Sequence, residues 1–155
     1  MKSLELPGLA AWLIICFTAA STGIQYEPGV WYAILHKPAW IPPNWVFPTV
    51  WTLLYALMAV AAWRIWRAHR LRGAPLAFAF FAAQLVFNAA WSWLFFGLHL
   101  MAYALLDLGL LWIFLLLTVL TFQGKDRLAA FLLLPYLVWV GFAGILNYAL
   151  MALNP

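Results

Sequence analysis

The stretch His36–Arg64, "HKPAWIPPNWVFPTVWTLLYALMAVAAWR", divides into two physically different halves. The first carries four prolines, Pro38, Pro42, Pro43 and Pro48, and three tryptophans, Trp40, Trp45 and Trp51. The second has no charge before Arg64. Pro42-Pro43 disfavours helix and stiffens an extended path. The uncharged run over 38–63 is long enough to cross a bilayer, since about 20 apolar residues span about 30 Å of hydrocarbon. The stretch therefore reads as a stiff, aromatic cover feeding a membrane span. The helix starts either at Asn44 as N-cap, with a disturbance at Pro48, or at Pro48 as its first residue. Backbone that is not helical at this depth must be buried in protein or line a cavity.

The rest of the chain repeats the pattern. Of 155 residues, 68% are hydrophobic and 8% charged, against about 25% charged in a soluble domain. Uncharged runs also cover 6–26, 73–106, 108–124 and 128–155. The expected fold is an all-α membrane protein, a five-transmembrane-helix bundle forming one domain over 1–155. Its spans lie at about 6–25, 46–66, 75–97, 101–122 and 128–151, with loop 1 at about 26–45. No ten-residue alternation of a β-barrel is present. Glu5 and the length of the first uncharged run argue against a cleaved signal peptide.

Of the eight basic residues, Lys2, Arg64, Arg67, Arg70, Arg72, Lys125 and Arg127 fall on one side of such a bundle and only Lys37 on the other. The positive-inside rule then places the N-terminus in the cytoplasm and the C-terminus outside. Topology accounts for "RIWRAHRLR" (64–72), so no nucleic-acid partner is expected; the bilayer is the partner. Cys16 is the single cysteine. No metal-ligand spacing or haem tether occurs, so no metal or required cofactor is expected. His36, His69 and His99 fall at loops or span ends.

Polar residues indicate which faces look inward. Gln84, Asn88, Trp91 and Phe95 share one helical face, as do Trp139, Ala143 and Asn147, and Trp51, Tyr55 and Met58. Such rows combine flat aromatics, small gaps and a few amides. They fit a pocket for a flat, mostly apolar ligand; they equally fit interhelical packing through small residues and amide bonds. Asp107 is the one charge well inside a span, either a functional acid or a carboxyl satisfied by a neighbouring helix. Ala79, Ala83 and Ala90 form a separate small-residue row that permits close approach of a second copy.

The segments "WYAILHKPAWIPPNWVFPTVWTLLY" (31–55), "AQLVFNAAWSWLFFG" (83–97), "ALLDL" (104–108) and "PYLVWVGFAGILNY" (135–148) resemble the tryptophan-rich sensory protein / translocator protein family, also called the peripheral-type benzodiazepine receptor family. The resemblance covers nearly the whole chain and points to a bacterial-type member. It implies a five-helix bundle, usually homodimeric, with a pocket under loop 1. That pocket would bind porphyrins such as protoporphyrin IX, and isoquinoline or benzodiazepine drugs. Carried over by motif, its ligand-binding residues are Tyr32, Trp40, Trp51, Asn88, Trp91, Trp139 and Ala143. The resemblance implies porphyrin sensing, sequestration or transport. A light- and oxygen-dependent porphyrin breakdown is the alternative, with Trp51 and Trp139 as its catalytic residues. A proton-coupled transporter using Asp107 is a further one. No acid/base pair or nucleophile accompanies the tryptophans, so no dedicated enzyme is expected. The family's sterol pattern near Asn147-Tyr148 lacks its basic residue here, because "ALMALNP" follows.

Overall fold

The structure, a computed structural model, describes residues 5–155; Lys2, counted in the charge asymmetry, lies outside the described residues. Among the described residues six α-helices follow in order: α1 Glu5–Gln25, α2 Val30–Ile34, α3 Val46–Gly73, α4 Pro75–Ser92, α5 Met101–Gln123 and α6 Arg127–Leu153. A π-helical turn, Trp93–Gly97, continues α4. Five helices, α2 excepted, are long and apolar enough to cross a membrane. Among the described residues there is no strand.

Several boundaries differ from expectation, each for a physical reason. α3 starts at Val46, as the span at about 46–66 anticipates, but neither Asn44 as N-cap nor Pro48 as first residue marks that start. Trp45 precedes the helix, no side chain caps it, and the Val46 N–H donates to the Pro43 carbonyl at 3.0 Å. Pro48 sits in the first turn, where the amide it lacks would have had no helical partner. At its other end α3 runs to Gly73 rather than stopping near 66. Charged residues leave the hydrocarbon without ending a helix, and the break comes at Arg70, which adopts φ 56°. Loop 1 is not wholly non-helical, because it contains α2. The Lys37 ammonium donates to the carbonyls of Tyr32, Ala33 and Leu35 at 2.6, 3.2 and 3.3 Å. A cation there satisfies orphan carbonyls and opposes the helix dipole, which steadies a five-residue helix too short to stand alone.

Other termini follow simple rules. Pro75 occupies the start of α4, where its fixed φ suits the helix. Asp126 caps α6, its carboxylate accepting from Leu128 N–H at 2.9 Å and Ala129 N–H at 3.1 Å. The other Asp126 oxygen takes Arg64 at 2.9 and 2.8 Å, tying α3 to α6.

The helices close a ring. α1 packs on α3 and α4, α4 on α5, α5 on α6, and α6 on α3. At the Arg64 end the ring is filled. Met58, Ala59, Ala62, Ile65, Leu115, Phe122 and Leu133 are wholly buried, Phe81 stacks on Phe122 at 6.0 Å and Trp12 on Phe78 at 5.3 Å. Lipid tails are as apolar as these side chains, so close packing rather than transfer from water holds the helices together. At the loop-1 end a second cluster, Phe95, Ala104, Leu146 and Leu150, packs under Trp31, Tyr32, Ile41 and Phe47.

Candidate functional site

A cavity of about 690 Å³ opens between these two clusters and draws its walls from all five spans and from α2. α3 contributes Phe47, Trp51 and Tyr55; α4 and its π-helical turn contribute Asn88, Trp91, Phe95 and Phe96; α6 contributes Trp139, Phe142 and Ala143. Of the seven residues expected to bind ligand, Tyr32, Trp51, Asn88, Trp91, Trp139 and Ala143 are brought together on this lining. Trp40 is not on it. Its ring meets Phe142 edge-on at 6.0 Å, and it remains 48% exposed.

Aromatic contacts hold the walls. Trp51 tilts onto Tyr55 at 5.6 Å and meets Tyr136 edge-on at 6.0 Å. Trp139 lies 5.9 Å from Phe47 and 5.2 Å from Phe142. The π-helical turn widens α4 where Phe95 and Phe96 face Tyr32, at 6.3 and 5.4 Å. Gly97 ends it, and a Cβ there would come within 2.9 Å of the Tyr26 ring. Burial raises the Tyr32 phenol above its ordinary range, so its hydroxyl stays protonated at the cavity edge.

The amides of Asn88 and Asn147 are already engaged, whereas neither amide atom of Gln84 has a hydrogen-bond partner among the described residues. Tyr55 O–H donates to Asn88 Oδ1, and Asn88 Nδ2 donates to the Tyr136 hydroxyl at 2.8 Å. Trp91 Nε1 donates to Asn147 Oδ1 at 3.2 Å, and Asn147 Nδ2 to the Met101 carbonyl at 2.9 Å. Both functions anticipated for the inward rows, interhelical bonding and pocket lining, thus occur in the same side chains. Trp139 Nε1 is buried without a hydrogen-bond partner among the described residues. Gln84 and Asp107 are buried but lie off the cavity lining.

Residues that sequence patterning did not single out complete the site. Asn154 pins loop 1 to the end of α6: its Oδ1 accepts from His36 N–H at 2.9 Å, and its Nδ2 donates to the carbonyls of His36 and Leu150 at 2.9 and 2.8 Å. Glu27 and Asn44 line the mouth. Phe17 and Ile24 of α1 line the cavity while remaining 39% and 72% exposed, so the wall there is one side chain thick. Among the described residues no three His, Cys, Asp or Glu side chains converge as a metal site would require.

The sequence model of the TspO/MBR family matches residues 6–153. The chain belongs to the TspO/MBR family. Its relatives include the tryptophan-rich sensory protein of Cereibacter sphaeroides, 44% identical over 92% of this chain and 88% of the relative. Protein CrtK of Rhodobacter capsulatus is 40% identical over 98% and 96% of the two chains. The translocator protein of Bos taurus is 41% identical over 81% and 78%. Membership in the TspO/MBR family and the five apolar helices make this an integral membrane protein, consistent with a receptor or sensor role. The matched region includes every element that lines the cavity.

Proposed function

We propose that the chain is a membrane receptor or carrier for porphyrins and other flat, mostly apolar ligands, including isoquinoline- and benzodiazepine-type drugs. The observation that carries the reading is the cavity of about 690 Å³ walled by Trp51, Trp91 and Trp139 beneath loop 1. Its size falls within the usual range of small-molecule pockets, about 300–1,000 Å³, and its lining is aromatic with few polar groups. Indoles supply large contact area at small conformational cost. A second copy would pack on the α4 face carrying Ala79, Ala83 and Ala90, of which Ala79 is exposed and Ala83 and Ala90 are half-buried.

Titration with protoporphyrin IX, followed by tryptophan quenching and by the porphyrin spectrum, tests the reading. Trp51→Phe and Trp139→Phe each remove contact area and are expected to weaken binding by about fivefold, or about 1 kcal/mol. Unchanged binding in both variants would remove the cavity from the function, and no binding by the parent would end the porphyrin reading.

The pairing of Trp51 and Trp139 on one cavity supports a second reading, light-driven porphyrin loss with dioxygen as oxidant. Illumination of the bound porphyrin separates the two: a receptor leaves its absorbance intact, whereas the photochemical reading requires loss that both substitutions suppress. Asp107 lies off the cavity lining, which leaves the proton-coupled transport reading without a link to this cavity.

A further inference from the structure

α3 is longer than a bilayer requires. Its 28 residues would reach about 42 Å at 1.5 Å per residue, against about 30 Å of hydrocarbon. The overhang at the Gly73 end carries Arg64, Arg67, Arg70 and Arg72. Two tryptophan–arginine pairs repeat there at i, i+4. The Arg67 guanidinium lies 4.7 Å from the centre of the Trp63 ring, and that of Arg70 lies 4.3 Å from the centre of the Trp66 ring. Trp66 is itself seated on Gly8 of α1, where a Cβ would come within 2.4 Å of the ring. A guanidinium stacked on an indole is held by its face, while its five N–H donors point outward in its plane. The stack therefore fixes the fork and leaves its donors available. Arg70 is exposed, and among the described residues no carboxylate meets it.

The backbone gives a second sign. Arg70 adopts φ 56° and ψ 175°, a region open to glycine and costly to any side chain. Topology asks only for positive charge beyond the span, and an unstrained arginine would supply it. Two neighbouring cations have other tasks: Arg64 holds Asp126, and Lys125 Nζ donates to the Gly73 carbonyl at 3.0 Å. The acids at this end are Asp126 and, at the start of α1, Glu5. They face Arg64, Arg67, Arg70, Arg72, Lys125 and Arg127, so a cationic excess remains.

We propose that the Arg70 guanidinium, fixed on Trp66 beside Arg67, is a headgroup site for the phosphodiester of an anionic phospholipid such as phosphatidylglycerol. A phosphate accepts two parallel N–H bonds from a guanidinium fork. Interfacial tryptophans set the pair at headgroup level, where lipid phosphate is concentrated and dissolved phosphate is not. The site lies at the end opposite loop 1 and stands whatever the cavity binds.

The test uses the full chain in dodecyl maltoside micelles. Native mass spectrometry with equimolar phosphatidylglycerol and phosphatidylcholine of identical chains reads the lipid preference. Thermal midpoints with each lipid, and with inorganic phosphate, read the stabilisation. The parent is expected to retain phosphatidylglycerol over phosphatidylcholine and to be stabilised by it. Arg70→Gln removes the charge and should lower the preference about fivefold. Arg127→Gln removes the same charge from the same end, where no ring lies against it among the described residues, and should lower the preference by less than about twofold. Equal losses in the two variants would reduce the preference to bulk charge and overturn the site. Inorganic phosphate that stabilises as well as phosphatidylglycerol does would overturn the lipid as its occupant. Arg70→Gly separates binding from folding: it releases the backbone, so the lipid-free midpoint should rise by about 3 °C while the preference falls as in Arg70→Gln. A lower midpoint with an unchanged preference would show that Arg70 serves only the end of α3.

Discussion

Asp126 shows how one side chain works at two levels. As N-cap it satisfies two amides of α6, and as an anion it holds Arg64. Partial desolvation pushes its pKa up. The Ala129 amide, the Arg64 guanidinium and the Leu128 amide outweigh that and hold the carboxyl below its usual range. Folding therefore favours the ionised form. The resulting stability is complete above the ordinary carboxylate pKa of about 3.9 and is lost as pH falls through the lower folded value. Asp126→Asn keeps a capping oxygen and removes the charge. It should lower stability by about 1 kcal/mol at pH 7 and by much less near pH 3, read as the difference in thermal midpoint between parent and variant in detergent. The acid at a helix start was legible in the sequence; its partner, 62 positions away, was not. The same asymmetry holds for Asn88. Its inward direction follows from helical spacing, but Tyr55 and Tyr136 as its partners depend on how three helices meet. Trp40 shows the limit most clearly. A loop side chain has no periodicity to fix its direction, and Trp40 meets the Phe142 ring edge-on without itself joining the lining.

At the scale of elements, all five spans were legible because hydrocarbon forces every backbone polar group into a helix. Little else about loop 1 was. A five-residue helix leaves no periodic signal, and it exists here because Lys37 closes its end. The loop is fastened a second time by Asn154, which exchanges two hydrogen bonds with His36 across 118 positions. Asn154→Ala should release that edge of the cover, raising the porphyrin dissociation rate by about tenfold while changing thermal stability little; two lost bonds at about 1 kcal/mol each bracket the effect. Stopped-flow displacement of bound porphyrin measures it, and an unchanged rate would show that ligand leaves by another path. On α4 the alanine face and the Gln84–Asn88 face point to different sectors, with Ala79 exposed and Gln84 buried. If the exposed sector meets a second copy, Ala83→Leu should shift the detergent-solubilised chain toward monomer in sedimentation or light scattering, without altering the cavity. Persistence of the parent's oligomeric state would place the contact elsewhere.

For the whole molecule, the closed ring of helices leaves one end packed and the other hollow. That division was only partly legible. Inward rows identified wall residues, but whether facing walls touch or stand apart depends on helix separation, which no single row encodes. Orientation in the bilayer is proposed from charge: among the described residues Arg64, Arg67, Arg70, Arg72, Lys125 and Arg127 belong to the helix ends and the turn opposite loop 1. A cysteine at position 70 should resist labelling from outside intact cells, while a tag after Pro155 should be reachable; the reverse pattern would invert the assignment. The hollow end is bounded on one flank by Phe17 and Ile24, which belong at once to the cavity wall and to the outer surface of α1. A ligand crossing that flank leaves oil rather than water, and its affinity is then a partition quantity. Adding lipid at constant protein and constant total ligand dilutes it within the bilayer, so half-saturation tracks mole fraction in the membrane and not molarity in the buffer.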